Sequence, residues 1–261
     1  MLRALSTAAT GMGAQQTQIE VIANNLANVN TAGFKRSRAE FQDLLYQNLR
    51  TPGANTAGGG LVPAGLQVGL GTRMAATSRL HSEGDLRQTG VPLDVAIEGD
   101  GFMGINMPSG EVAYTRAGSL RMDAGGRLVT QDGYTLASSV TIPADSTSIT
   151  INPDGVVSVA QPGHQAMTEV GRITLTNFSN PGGLLSLGRN LYRPTAVSGT
   201  PSEGQPGTQG LGTLAQGTLE MSNVKVVDEM VDMIVAQRAY EIDSRVIKAA
   251  DEMLGQTAQL R

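Results

Sequence analysis

The C-terminal segment predicts a helix whose apolar residues cover too wide an arc for the helix to pack against a single surface. One row consists of Val226, Met230, Met233, Tyr240, Ile247 and Leu254. A second row, about 100° further around the helix, consists of Val227, Val231, Val235, Ile242, Val246, Ala249 and Met253. A helix over about 224–254 would be roughly 46 Å long. A single small domain cannot cover both rows, so self-assembly with other copies is the leading hypothesis.

The N-terminal segment has an uninterrupted seven-residue rhythm. One heptad position holds Leu5, Met12, Ile19 and Leu26, and its partner position holds Ala8, Gln15, Ile22 and Val29. This spacing predicts a helix with a coiled-coil-like seam. We expect the helix to stop in the Asn-rich and Gly-containing segment that follows, because these residues adopt the left-handed conformations that end helices. The residues assigned to this turn motif are Asn28, Asn30, Thr31, Gly33 and Phe34.

Both helices supply candidate assembly residues. Those of the N-terminal helix are Leu5, Met12, Ile19, Ile22, Asn24, Asn25, Leu26 and Val29. Those of the C-terminal helix are Val227, Met230, Val231, Met233, Ile234, Gln237, Tyr240, Ile247 and Leu254. The two asparagines lower helix propensity, and amides that hydrogen-bond across a packed interface would explain them. Alternatively, the two helices pair within one subunit, which would cover only one row of the C-terminal helix.

The middle of the chain is built of short β-type runs separated by turn signals. The strands expected from these runs are 93–97, 102–107, 149–151, 156–159 and 172–178. Frequent turns with no long helical pattern between them predict a mainly antiparallel β domain. The fold class is therefore α+β, with long N- and C-terminal helices forming a coiled-coil-like assembly domain, and with a mainly antiparallel β middle domain.

These patterns divide the chain into three regions. Residues 1–34 and 224–261 form the predicted helical polymerisation domain. Residues 35–84 form a linker or extended arm, and their stretch 51–60 is too glycine-rich to hold regular structure alone. Residues 85–223 form the β-rich outer domain, whose Gly/Pro-rich return loop covers 198–213.

Catalytic chemistry finds little support in the sequence. The net charge of −4 and the lack of a dense basic stripe argue against nucleic-acid binding, and the absence of cysteine excludes disulfides and cysteine-ligated zinc. The two histidines, His81 and His164, belong to no catalytic pattern, so we expect each to be satisfied or solvated. The run Gly99–Gly104 matches a dinucleotide-binding fingerprint, but a strand-like run follows it and predicts a hairpin turn instead. The sequence therefore predicts no enzyme, no metal site and no cofactor.

Membrane insertion and signal cleavage also find no support. No apolar run approaches the roughly 18 residues that a membrane span needs. The N-terminus begins Met-Leu-Arg-Ala-Leu and lacks the apolar core of a cleavable signal peptide.

Segments at both ends of the chain resemble those of a known family. The segment 23–35 reads Ala-Asn-Asn-Leu-Ala-Asn-Val-Asn-Thr-Ala-Gly-Phe-Lys and resembles the N-terminal signature of the bacterial flagellar basal-body rod and hook proteins. The segments 217–224, 229–231 and 236–241 resemble the opposite terminus of the same family. Residues 46–72 resemble the insert typical of its distal rod members.

This resemblance implies a structural subunit of the distal rod, in which the chain forms a stiff helical tube that acts as the drive shaft between motor and hook. It implies type III export without signal cleavage and a location in the basal body, in the rod that spans the periplasm. The implied partners are further copies of the chain, proximal rod subunits, the hook protein, the P- and L-ring proteins and the export apparatus. A proximal rod subunit and, from another class, a secreted β-domain adhesin or enzyme are the alternatives.

Overall fold

A computed structural model describes residues 2–53, 63–163 and 166–259. The chain divides into two compact units. The helical unit contains Met1–Ala27, Ser37–Ser78 and Lys225–Arg261, and the β unit contains Asn28–Arg36 and Arg79–Val224.

Two long helices, both predicted from the sequence, form most of the helical unit. Helix α1 runs over Leu2–Ala27 and helix α2 over Val226–Gln259. Neither contains proline, and Asp228 and Glu229 lie in the first turn of α2, where the helix dipole favours negative charge. Helix α1 stops at the expected position, so Val29 lies beyond its end, in the turn that follows.

The helical unit also contains four strands. These are β1 (Ser37–Asp43), β2 (Tyr46–Arg50), β3 (Leu66–Gly69) and β4 (Thr72–Arg79). Strand β1 pairs with β4, and β2 forms an antiparallel hairpin with β3 that places Tyr46 opposite Gly69. Most of the described residues in the segment expected to be a linker or arm therefore lie in paired strands. Of its glycine-rich stretch 51–60, residues 54–60 lie outside the described residues.

The β unit holds the remaining strands. They are β5 (Leu86–Gln88), β6 (Val95–Glu98), β7 (Phe102–Asn106), β8 (Val112–Thr115), β9 (Arg121–Met122), β10 (Leu128–Val129), β11 (Thr135–Leu136), β12 (Ser148–Ile151), β13 (Val156–Ala160), β14 (Thr168–Arg172), β15 (Leu175–Asn177), β16 (Leu185–Gly188), β17 (Leu191–Arg193), β18 (Ser202–Gly204), β19 (Thr213–Gln216) and β20 (Thr218–Glu220).

Most of these strands join one antiparallel sheet. Its order is β16-β17-β8-β7-β11-β10-β9, and β15 pairs with both β7 and β18. Strands β12, β13 and β14 form a second sheet, while β19 pairs with β6 and β20 with β5. The hydrophobic core draws side chains from both sheets and from the β6–β19 pair, including residues of β6, β7, β8, β10, β11, β12, β13, β15, β17 and β19. This mainly antiparallel β middle between two helices is the predicted α+β arrangement.

Local details differ from the sequence expectation at two places in the β unit. The predicted strand 172–178 is two strands, because β14 ends at Arg172 and the Ile173 N–H bonds to the Gly155 carbonyl before β15 begins. The run Gly99–Gly104 does precede a strand rather than a helix, but it is not a hairpin turn. Strand β6 pairs with β19 and β7 pairs with β8, β11 and β15, so the turn connects strands that are not paired with each other.

Candidate assembly surface

Helices α1 and α2 pack against each other in an antiparallel register. The Asn25 side-chain amide donates to a Glu229 carboxylate oxygen at 3.0 Å. Fourteen residues away along both helices, in opposite directions, a Cβ added to Gly11 would lie 2.7 Å from Asp243 Oδ2. The glycine therefore allows α1 to approach a carboxylate-bearing turn of α2 closely.

The face of α2 that packs on α1 contains a row of polar and small residues. Glu229, Ala236, Asp243 and Ala250 follow one another at seven-residue intervals. Glu229 is only 1% exposed, both alanines are buried and Asp243 is half-buried. Met233, Ile247 and Leu254 of the first apolar row are half-buried on the same side of α2, so this face combines polar, small and apolar side chains.

The opposite face of α2 is apolar and exposed. Val227 is 72% exposed and Ile242 60% exposed. We define the apolar ridge as Val227, Val231, Ile234 and Val235, all more than half exposed. A helix of a monomeric domain turns its apolar stripe inward and its polar face outward. Here a second apolar stripe faces outward, and exposed apolar surface of this kind is typical of a protein interface.

The predicted assembly residues divide by exposure. On α2 the exposed ones are Val227, Met230, Val231, Ile234, Gln237 and Tyr240. Met233, Ile247 and Leu254 are half-buried. In the N-terminal set, Ile22 and Asn25 are buried, Asn24 is exposed, and Leu5, Met12, Ile19, Leu26 and Val29 are half-buried. The C-terminal candidates are therefore the more accessible set in a single subunit.

Asn25 has partners within its own subunit. Its amide nitrogen donates to the Ser37 carbonyl at 2.8 Å as well as to Glu229, and its amide oxygen accepts the Ser37 N–H at 2.9 Å. A side-chain amide that satisfies both polar groups of Ser37 fixes the start of β1 against α1. These two hydrogen bonds to the Ser37 backbone explain why Asn25, a poor helix former, occupies a buried helix position.

The β2–β3 hairpin also exposes large apolar side chains. Leu45, which precedes it, is 84% exposed, and Tyr46, Leu49 and Leu66 within it are each at least half exposed. A two-stranded hairpin without a covered face is marginally stable in water. This surface is therefore a second candidate for burial against another protein.

The turn motif of the N-terminal signature is built into the β unit. Gly33, Phe34 and Lys35 are all buried, and the Gly33 N–H donates to the Glu220 carbonyl at 2.8 Å. Gly33 has a φ of 72°, and a Cβ there would lie 2.6 Å from the Ala117 backbone nitrogen. Only glycine fits this position, because both the backbone conformation and the space exclude a side chain.

A buried ionic cluster joins Lys35, which directly follows this turn motif, to Glu220 in the family-like segment 217–224. The Glu220 carboxylate accepts from Lys35 Nζ at 2.5 Å, from Arg116 Nε at 2.8 Å and from the Gly84 N–H at 3.0 Å. Burial raises the pKa of Glu220, but the two cations outweigh it and hold the pKa below its usual value. Burial and the Arg116 charge lower the pKa of Lys35. Sequence reasoning missed all three ionic residues, which are far apart in the chain.

Arg116 also accounts for the glycine-rich turn between β6 and β7. Its guanidinium donates to the carbonyls of Ile97, Gly99 and Gly101 at 2.8–3.3 Å. The fingerprint glycines therefore present their carbonyls to a buried cation. This use differs from phosphate binding, which requires backbone N–H groups at a helix N-terminus.

His81 lies beside this cluster. Its ring makes edge contacts with Phe102 and Tyr192 at centroid distances of 5.5 and 5.4 Å. Burial, together with the charges of Lys35 and Arg116, lowers its pKa to about 4. Its Nδ1 is buried and has no hydrogen-bond partner among the described residues, so this one ring nitrogen does not match the expectation of a satisfied or solvated histidine. His164 lies outside the described residues.

The described residues contain neither a metal-binding cluster nor a membrane-spanning helix. Residues 2–53, 63–163 and 166–259 contain no group of three or more His, Cys, Asp or Glu side chains placed to bind a metal ion. Within the same ranges, neither helix is long and apolar enough to cross a bilayer.

Three family models match separate parts of the chain. Residues 5–35 match the model described as flagella basal body rod protein. Residues 96–159 match the flagellar hook protein FlgE/F/G D1 domain, and residues 215–260 match the flagellar basal body rod FlgEFG protein C-terminal. The first and third matches contain the turn motif and the apolar ridge, respectively.

Curated relatives match the chain over nearly its whole length. The flagellar basal-body rod protein FlgG of Caulobacter vibrioides is 49% identical over 261 residues, covering 100% of both chains. That of Buchnera aphidicola subsp. Acyrthosiphon pisum is 47% identical, also over 100% of both. That of Borreliella burgdorferi is 50% identical, over 98% of this chain and 97% of its own. The chain thus belongs to the flagellar basal-body rod and hook protein family.

Proposed function

We propose that this chain, a structural subunit of the flagellar rod, polymerises with its own copies into a stiff helical tube in the distal part of the rod. The exposed apolar face of α2 is the observation that carries this proposal. In the polymer, the terminal helices of neighbouring copies pack in a coiled-coil-like layer. The tube acts as a drive shaft that transmits motor torque to the hook.

The energetics favour this role. Fully burying a Val or Ile side chain contributes about 1.5–3 kcal/mol. The four residues of the apolar ridge are more than half exposed, so each has roughly 1 kcal/mol or more still to gain from a partner surface. A shaft under torque needs many such contacts per subunit, and a helix that is apolar on its outer face provides them along its length.

The β2–β3 hairpin supports a distal position. It lies within residues 46–72, the segment that resembles the insert of distal rod members. Its exposed Tyr46, Leu49 and Leu66 fit a hairpin that is covered by an adjacent subunit and stiffens the tube. The neighbours proposed for this position are proximal rod subunits, the hook protein and the P- and L-ring proteins. The subunit reaches this position in the basal body through the type III export apparatus, without signal cleavage, and the rod spans the periplasm.

Immunogold electron microscopy of isolated basal bodies tests the position. Antibody raised against the β unit should label the rod between the rings and the hook, and labelling confined to the membrane-proximal end would favour a proximal rod subunit instead. Deletion of residues 46–72 tests the mechanical role. We expect curved or mechanically altered rods, whereas rods of unchanged shape would contradict a stiffening hairpin.

A further inference from the structure

An open groove of about 690 Å³ lies within the helical unit. The first turns of α1 form one side, the turn from β3 to β4 a second, and α2 the third. Gly71 holds the β3–β4 turn against α1, because its missing Cβ would lie within contact distance of both Thr10 and Thr7. The groove is mainly apolar, and its lining includes Arg3, Ala4, Thr7, Val68, Gly69 and Val246.

The apolar ridge has the spacing of a helix that binds in a groove. Val227, Val231 and Ile234 stand at positions i, i+4 and i+7, which is the anchor pattern of helix-in-groove recognition. A subunit cannot place its own ridge in its own groove. Val231 and the groove residue Val246 are 15 residues apart on the same helix, which separates them by roughly 22 Å.

The charges favour one orientation of the ridge in the groove. The groove lining contains Arg3, the one charged residue in the sequence between Met1 and Ile19, and Asp243 of α2. Asp228 is exposed on α2, next to Val227 at the start of the ridge. A ridge that enters the groove of another copy therefore favours the orientation that brings Asp228 towards Arg3 and away from Asp243.

We infer that the apolar ridge of one copy binds in the α1–α2 groove of a second copy. This inference rests on the proposed function and names the contact that would extend the polymer. Ridge and groove are different surfaces, so each copy has one of each and the contact is heterologous. Repetition of such a contact gives an open helical filament wherever the rotation does not close a ring.

Cysteine cross-linking of the full-length chain tests the inference, since the sequence contains no cysteine of its own. The test variant combines Ala4→Cys in the groove with Val231→Cys on the ridge, both at exposed positions. The control replaces Val231→Cys by Glu241→Cys, which is exposed and lies about 80° further around α2. Each variant is concentrated until it polymerises, oxidised and analysed on a denaturing gel, with polymers counted by electron microscopy and folding checked by circular dichroism.

The expected result is a ladder of covalent multimers from the Ala4/Val231 variant and only monomer from each single variant and from the control. A dimer formed by Val231→Cys alone would overturn the inference, because it would mean that ridge contacts ridge. A ladder from the control as strong as that from the test variant would also overturn it. Polymers without any ladder would reject the groove but leave the proposed function standing. The absence of polymers in the unmodified chain would reject both.

Discussion

Replacing Glu220 by glutamine should destabilise the β unit strongly. The substitution keeps the side-chain shape but removes the one carboxylate that faces both Lys35 and Arg116. The side chains of Glu220 and Lys35 are 0% exposed and that of Arg116 is 2% exposed, so neither cation gains water in exchange. Removing one partner of a buried ion pair costs about 3–5 kcal/mol, against a total of about 5–15 kcal/mol for a typical domain.

Urea denaturation of the monomer, followed by near-ultraviolet circular dichroism, measures this loss. With a slope of about 2 kcal/mol per molar urea, the midpoint should fall by roughly 1.5–2.5 M. Glu241→Gln is the matched control, because Glu241 pairs with Arg238 at a half-exposed surface site and its loss should cost less than about 1 kcal/mol.

A double-mutant cycle separates the ion pair from general damage. Lys35→Met leaves Glu220 with Arg116 and the Gly84 N–H, and Lys35→Met with Glu220→Gln removes both partners of one pair. The double variant should be more stable than the sum of the two single losses predicts, by about 1 kcal/mol or more. Additive losses, or a Glu220→Gln midpoint equal to that of the surface control, would refute the clustered-charge account.

Three further perturbations follow from the same contacts. The pKa of His81 is about 4 in the folded state against 6.5 in the unfolded state, so the free energy of unfolding should fall by about 3 kcal/mol as the pH falls from 6.5 to 4. In urea titrations at each pH, the His81→Phe variant should lack this part of the loss. A variant with the same pH profile as the unmodified chain would contradict this prediction. Gly33→Ala should lower the melting temperature more than Gly110→Ala, which has a similar positive φ but open space, and equal losses would refute the steric argument. Gly13→Ala should raise the free energy of unfolding by up to about 1 kcal/mol in urea, because alanine is the better helix former and the position has open space. Gly11→Ala should raise it less, because the new Cβ meets the Asp243 carboxylate. Equal gains would contradict the close helix packing.

The two helices were predictable because their signal is local and repeats. The heptad rhythm from Leu5 placed α1, and the Asn-rich turn placed its end at Ala27. The apolar rows placed α2 but left open which row would face α1. The structure packs the side of the first row on α1, together with a row of polar and small residues that the apolar pattern did not indicate. Gly11 and Asn25 accommodate Asp243 and Glu229 there.

The ionic cluster could not be predicted from a pattern in the sequence. Lys35, Arg116 and Glu220 meet only because β20 and the turn motif pack together in the folded β unit. Asn25 shows that the same limit applies at shorter range. An asparagine inside a helix indicates that its amide has a hydrogen-bond partner, but the sequence does not tell whether that partner lies in another copy or, like Ser37, in the same subunit. Pairing of the β2–β3 hairpin was likewise hidden by the glycine-rich stretch, which suggested an arm without regular structure.

Polymerisation of the purified full-length chain, with and without charge on the apolar ridge, tests the central claim most directly. The variant carries Val231→Asp and Ile234→Asp, both on exposed side chains, so the monomer should unfold at the same urea concentration as the unmodified chain. Losing about 1 kcal/mol of burial at each site should raise the critical concentration for assembly at least about tenfold. We expect straight tubes from the unmodified chain in electron micrographs and monomers from the variant. Tubes from both at the same critical concentration would contradict it.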